Sequence, residues 1–169
     1  FFSVVVTGWP TLDPLFEAPR TTQYLGKSDT RKTLLICSTF SRNLSLAPQL
    51  IEQVKQLRDS GKYRNLVQFH PKMATDIVDQ YKAMQGDSLT FIETDNVIPL
   101  LQAADVMLCD TSSILLMFLL LRRPVVTFKN QAPGPHILNV TKAEEVEAAI
   151  DHALTQPAAL MQEIEAFCQ

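Results

Sequence analysis

Three short polar clusters in this chain each follow an apolar, strand-like run: Ser38-Thr39-Phe40-Ser41-Arg42, His70-Pro71-Lys72 and Asp110-Thr111-Ser112-Ser113. Hydroxyls, an imidazole and the unpaired N–H groups of a helix start suit one chemistry above others, the binding of a phosphate. Ser112 and Ser113, with Thr111 beside them, are the first candidates. The competing reading is that the Thr or Ser hydroxyls cap the helix that follows. Asp110 would repel a phosphate, so its expected role is structural, accepting N–H bonds from nearby loops. Pro71 disfavours helical geometry at His70 and fixes it at a strand end. A charged imidazole there would stabilise negative charge accumulating on a diphosphate leaving group, which makes His70 the catalytic candidate. Thr39, Arg42 and Lys72 are candidates for the rim of such a site, against the ordinary reading of solvated side chains. Pro133 and Gly134, in the loop 129–136, are weaker rim candidates; His136 and His152 have no comparable support.

The elements that must position these clusters are read from periodicity. Short runs rich in Val and Ile alternate with segments of helical period, the signal of a parallel sheet covered by helices. Strands are expected at 34–37, 65–69, 89–92, 105–109 and 125–128. Helices are expected over 47–60, stopped by Gly61, over 74–84, and as a short one capped by Asp95 or Asn96 that brings Val97, Leu100 and Leu101 to one side. Residues 114–121 are apolar all round, which predicts a helix buried between the sheet and another layer. Two helices close the chain, one with Val146, Ala149, Ile150 and Ala153 on a stripe, the other opened by Pro157. Open parallel sheets bind ligands beyond the carboxyl ends of their strands. All three polar clusters fall at such ends, and they meet on one rim if their strands are neighbours.

Residues 1–25 fit less well. A strand at 4–6 and a turn at Thr7-Gly8-Trp9-Pro10 precede a stretch of little periodicity, so 1–25 reads as a linker or interdomain region with a possible first strand, and 26–169 as the ligand-binding domain.

Bulk properties narrow the classes. The chain has 169 residues, 46% apolar and 20% charged, enough for one core. A net charge of -3 disfavours a general nucleic-acid surface. Cys37, Cys109 and Cys168 have no metal-ligand spacing, and the first two read as buried reduced thiols, which points to the cytosol. Neither a signal peptide nor a membrane span is apparent. No Walker A, Gly-x-Gly-x-x-Gly, His-Glu-x-x-His or Gly-x-Ser-x-Gly pattern occurs, and no metal or other cofactor is expected.

The order of motifs resembles a known family. Val6-Thr7-Gly8-Trp9-Pro10 with Asp13, then 35–40, Phe69-His70-Pro71, Ala104-Asp105-Val106, Asp110-Thr111-Ser112-Ser113 and Arg123-Pro124-Val125-Val126 are similar to the C-terminal domain of CDP-glycerol glycerophosphotransferases of the teichoic-acid polymerase and primase type. The resemblance implies a GT-B C-terminal domain, a Rossmann-like α/β fold with helices on both faces of a parallel sheet. It implies a nucleotide-diphosphate donor, CDP-glycerol, from which glycerol phosphate passes to a polyol-phosphate or glycolipid acceptor with loss of CMP. Positions matching His70, Ser112 and Ser113 would bind donor phosphates, while Thr7, Gly8 and Asp13 would help build the region between domains. An N-terminal acceptor domain would lie outside these 169 residues, leaving them inactive alone. Peripheral association with the inner face of the cytoplasmic membrane, through segments not in this chain, is also implied. Two positions depart from the family: Ser38 stands where Pro is common, and Met117 where an acid usually holds ribose hydroxyls. A nucleotide-sugar glycosyltransferase or UDP-sugar 2-epimerase-like domain is the first alternative. A non-catalytic α/β interaction module, which Met117 would favour, is the second.

Overall fold

Residues 34–37 are apolar at every position because the strand they form is covered on both faces. In the computed structural model, which describes residues 12–17, 24 and 29–169, Leu34 and Ile36 enter one core while Leu35 and Cys37 enter another. That division follows from the period of two along a strand.

The elements in chain order are α1 (Asp13–Glu17), β1 (Lys32–Ser38), α2 (Ile51–Ser60), β2 (Tyr63–Phe69), α3 (Thr75–Lys82), β3 (Leu89–Phe91) and α4 (Ile98–Ala103). They continue with β4 (Val106–Cys109), α5 (Ile114–Leu119), β5 (Val125–Phe128), β6 (Leu138–Val140), α6 (Val146–Leu154) and α7 (Ala158–Phe167). The sheet runs β3-β2-β1-β4-β5-β6, and every neighbouring pair is parallel. Helices α2, α3 and α6 supply the first core; α1, α4, α5 and α7 supply the second. This is the doubly wound α/β architecture expected from the sequence. The chain winds outward from β1 to β3 and returns to lay β4 against β1, so the reversal point lies between β1 and β4.

Two charged groups fix that junction and the layer above it. Asp105 accepts the Thr33 amide at 2.8 Å and donates its own amide to the Thr33 carbonyl at 2.8 Å, which sets the register of β4 on β1. Arg123 donates to the carbonyls of Leu101, Gln102 and Ala104 at the end of α4. A cation is favoured there because the last carbonyls of a helix have no intrahelical partner. Gly61 ends α2 in the left-handed region (φ 63) with its amide on the Arg58 carbonyl, a conformation that glycine adopts without a Cβ penalty.

Three local expectations change. The helix expected from residue 47 begins at Ile51, because residues 45–50 are spent on turns that carry the loop back over β1. Strand β6 was not anticipated, since its three residues are all half-buried and show no alternation of buried and exposed positions. The helix after Ser113 is not buried all round: Phe118 and Leu119 are fully enclosed, whereas Leu116 is 41% exposed. A uniformly apolar run cannot report which face meets solvent. The strand and turn expected at 4–10, including Thr7 and Gly8, lie outside the described residues. Leu15 on α1 is buried, and Gln102 of α4 donates to its carbonyl at 3.3 Å.

Phe118→Ala should cost about 3–5 kcal/mol of stability, while Leu116→Ala should stay within roughly 0.5 kcal/mol of the parent. Chemical denaturation of the two variants measures the contrast; equal losses would place Leu116 in the core after all.

Candidate functional site

Continuing the β1–β4 register beyond Ile36 and Leu108 brings Ser38 beside Asp110. The Ser38 hydroxyl donates to Asp110 Oδ2 at 2.7 Å. The same carboxylate accepts the Leu46 amide at 3.0 Å and the Thr39 amide at 3.1 Å on both oxygens. Asp110 is wholly buried. Burial pushes its carboxyl up, against the opposing pull of the Ser38 hydroxyl and the Leu46 and Thr39 amides. A buried carboxylate surrounded by donors is thus the tie that folds the β1–α2 loop over the reversal point. Ser38 adds to it, sharing a hydrogen bond with the Ser45 hydroxyl at 2.8 Å and accepting the Ala47 amide at 3.3 Å. None of these side-chain bonds is possible for proline, which lacks a hydroxyl, so the loop depends on Ser38 as it stands.

The opposite loop is tied to the same point. Asn130 donates to the Asp110 carbonyl at 3.3 Å, and the Gln131 amide donates to the Thr111 hydroxyl at 3.0 Å. On the other side of β1, the His70 amide donates to the Ser38 carbonyl at 3.2 Å. The three polar clusters therefore do share one rim, at the carboxyl ends of adjacent strands β2, β1 and β4.

Between them is a cleft of about 210 Å³ lined by His70, Pro71, Ser112 and Ser113, with Cys37, Ser38 and Gln68 among the remaining residues. Thr94, Asp95 and Val97 close it from the β3–α4 loop. A second cavity of about 330 Å³ shares His70, Pro71, Thr94 and Asp95 and is backed by Phe69, Val78 and Phe91. His70 and Pro71 are common to both spaces. The Ser113 position at the start of α5 makes no side-chain cap bond, and among the described residues neither the Ser112 nor the Ser113 hydroxyl is paired with another group. The donors are available to a ligand. Helix α5 is six residues long, so its dipole is small and the hydroxyls and backbone amides must carry any anion contact.

The remaining candidates are placed as follows. Thr39 is half-buried, with its amide committed to Asp110. Arg42 and Lys72 are exposed on the two loops beside the cleft, without being among its lining residues. Pro133 and Gly134 are also outside that lining; a Cβ at Gly134 would meet the His136 ring at 2.4 Å, and that ring stacks on Phe167 at 3.8 Å. This part of the β5–β6 loop is anchored to α7. Asp13 is exposed on α1. Met117 is half-buried and packs against the second core. Asp105 and Asp110 flank β4 about 16 Å apart along the strand, and among the described residues no group of three His, Cys, Asp or Glu could hold a metal. Cys37 and Cys109 are free buried thiols whose ionisation burial pushes up, so neither is an activated nucleophile.

Thr94, Asp95, Gln68 and Phe40 were not singled out as site residues. The first two follow strand β3, and the rule that selected the other clusters would have found them had β3 been treated as a neighbour of β2.

A parallel sheet of this order, with its open cleft at the reversal point, defines a Rossmann-like domain of the GT-B type. The chain belongs to the CDP-Glycerol:Poly(glycerophosphate) glycerophosphotransferase family, whose model matches residues 2–132. It is thus part of an enzyme family. A comparison with curated protein sequences finds no match. Among solved structures, it is similar to the UDP-GlcNAc 2-epimerase from Neisseria meningitidis bound to UDP-GlcNAc, with a TM-score of 0.63 and 12% identity over 85% of this chain and 40% of that one. It is similar also to the wall teichoic acid polymerase TagF, at 0.58 and 20% identity over 82% of this chain and 36% of that one. A third likeness is to the C-terminal domain of the group 1 glycosyl transferase LpcC from Francisella tularensis, at 0.57 and 15% identity, covering 86% and 87%. At these identities the likeness is one of fold. The chain spans 40% and 36% of the length of the first two of these structures. Among the described residues no helix is long and apolar enough to cross a membrane.

Replacing Asp110 by Asn keeps the volume but sets an amide donor among three donors. Asp110→Asn should lose roughly 2–3 kcal/mol of stability, measured by urea denaturation. A loss below about 0.5 kcal/mol would mean that the loops hold without this carboxylate.

Proposed function

We propose that this chain is the donor-nucleotide domain of a transferase that moves glycerol phosphate from CDP-glycerol to a polyol-phosphate or glycolipid acceptor. The observation that carries the reading is the cleft shared by His70, Ser112 and Ser113 at the reversal point of the sheet. Ser112, Ser113, Thr111 and His70 would hold the diphosphate. Thr39, Arg42 and Lys72, on the loops that follow β1 and β2, would form the rim of the site. In the transfer, an acceptor hydroxyl oxygen bonds to the phosphorus that bears glycerol, and the bridging P–O bond breaks. CMP leaves with that electron pair, and hydrogen bonds from His70 and the serines would offset the charge it gains. The hydroxyl proton would pass to a base in a separate acceptor domain, which the region around Thr7, Gly8 and Asp13 would adjoin. The residues of this chain would therefore bind and orient the donor and would not complete the reaction alone.

A UDP-sugar donor is the second reading, favoured by the fold likeness to UDP-GlcNAc 2-epimerase. Met117 bears on both readings, because a thioether cannot accept the strong hydrogen bonds that a carboxylate offers a ribose. It also favours the third, an interaction module without catalysis.

Calorimetric titration with CDP-glycerol, CMP and UDP-sugars separates the donors. CDP-glycerol should bind most tightly, and His70→Ala and Ser112→Ala should each weaken it by about tenfold while leaving cytidine nearly unaffected. Saturable binding by none of these ligands would remove the functional reading; tighter binding of a UDP-sugar would move it to the second.

A further inference from the structure

His70 is exposed, and an exposed imidazole has a broad, roughly two-fold terminal torsion that lets it present either ring nitrogen. Two contacts remove that freedom. The Lys72 amide donates to His70 Nδ1 at 3.1 Å, which demands a lone pair there and puts the proton of the neutral ring on Nε2. The Phe40 ring lies against the imidazole with centroids 4.5 Å apart and planes tilted by 41°, a favourable distance for an aromatic pair. Lys72 Nζ in turn sits 5.6 Å from the centroid of the Phe40 ring. The β1–α2 and β2–α3 loops thus hold the imidazole from its face and from its edge.

We propose that Phe40 and the Lys72 amide form a clamp that presents His70 as a neutral Nε2–H donor to the ligand phosphate, with Phe40 a positioning residue that does not itself touch the ligand. The inference rests on the phosphate reading of the cleft. An ionised phosphate oxygen accepts and does not donate, so the nitrogen facing it must carry hydrogen. The clamp meets that requirement without charging the ring, which alters the role expected from sequence, where the imidazole acted as a cation. Protonating Nδ1 would set two donors against each other at the Lys72 amide.

Two measurements on the protein test the clamp. Two-bond 15N–1H correlations of the ligand-free protein should show His70 as the Nε2–H tautomer, and Phe40→Ala should shift its ring signals toward averaged values. In calorimetry with CDP, Phe40→Ala should weaken binding by roughly three- to tenfold, and Phe40→Tyr should restore it. The double variant Phe40→Ala, His70→Ala should be no weaker than His70→Ala alone, since Phe40 acts through the imidazole. Losses that add instead would mean that Phe40 contacts the ligand or acts elsewhere, and would overturn the clamp, as would an Nδ1–H tautomer. Weakened binding in His70→Ala with none in Phe40→Ala would overturn the clamp alone. Unchanged CDP affinity in His70→Ala would overturn the phosphate reading, and this proposal with it.

Discussion

The site depends on a buried carboxylate that no cation among the described residues neutralises. Asp110 follows β4 and is wholly buried, with a desolvation cost that hydrogen bonds offset. The Ser38 hydroxyl and the Thr39 and Leu46 amides meet that demand, and in doing so they draw the β1–α2 loop down over the sheet. Asn130 and Gln131 bring the loop after β5 to the same place. The acidic side chain therefore holds one wall of the cleft, and the Asp110 carbonyl and Thr111 hydroxyl hold the other.

That arrangement separates structural from ligand-facing polarity at short range. Asp110 faces inward and is consumed by the protein. Ser112 and Ser113, two and three residues on, have hydroxyls uncommitted to other groups among the described residues. Thr111 lies between these roles, since its hydroxyl already accepts the Gln131 amide and retains one proton to donate. The same division appears at β2, where the His70 amide is tied to Ser38 while its ring lines both cavities. Backbone commitments hold each loop, and side chains are left to act.

Charges elsewhere serve the frame. Asp105 clips β4 to β1 at the end opposite Asp110, and Arg123 gathers three carbonyls at the end of α4. Both fall within the residues that the family model matches, although neither lines the cleft. They hold the junction between β1, β4 and α4, on which the position of the cleft depends.

What the sequence determined by itself was local: five of the six strands, the helices between them, and three polar clusters at strand ends. These were legible because burial imposes a period on the side chains and because Gly61 and Pro157 mark where helices stop and start. The resemblance supplied the family, and Asp110 could be assigned a structural role from charge alone. The tertiary structure decided the rest. Periodicity reports that a face is covered without saying by what, so the adjacency of β1 and β4, the short strand β6 and the exposure of Leu116 needed the fold. The setting of the His70 ring needed it most, because a phenyl ring thirty residues earlier lies against it, a contact that only the folded loop pair can make.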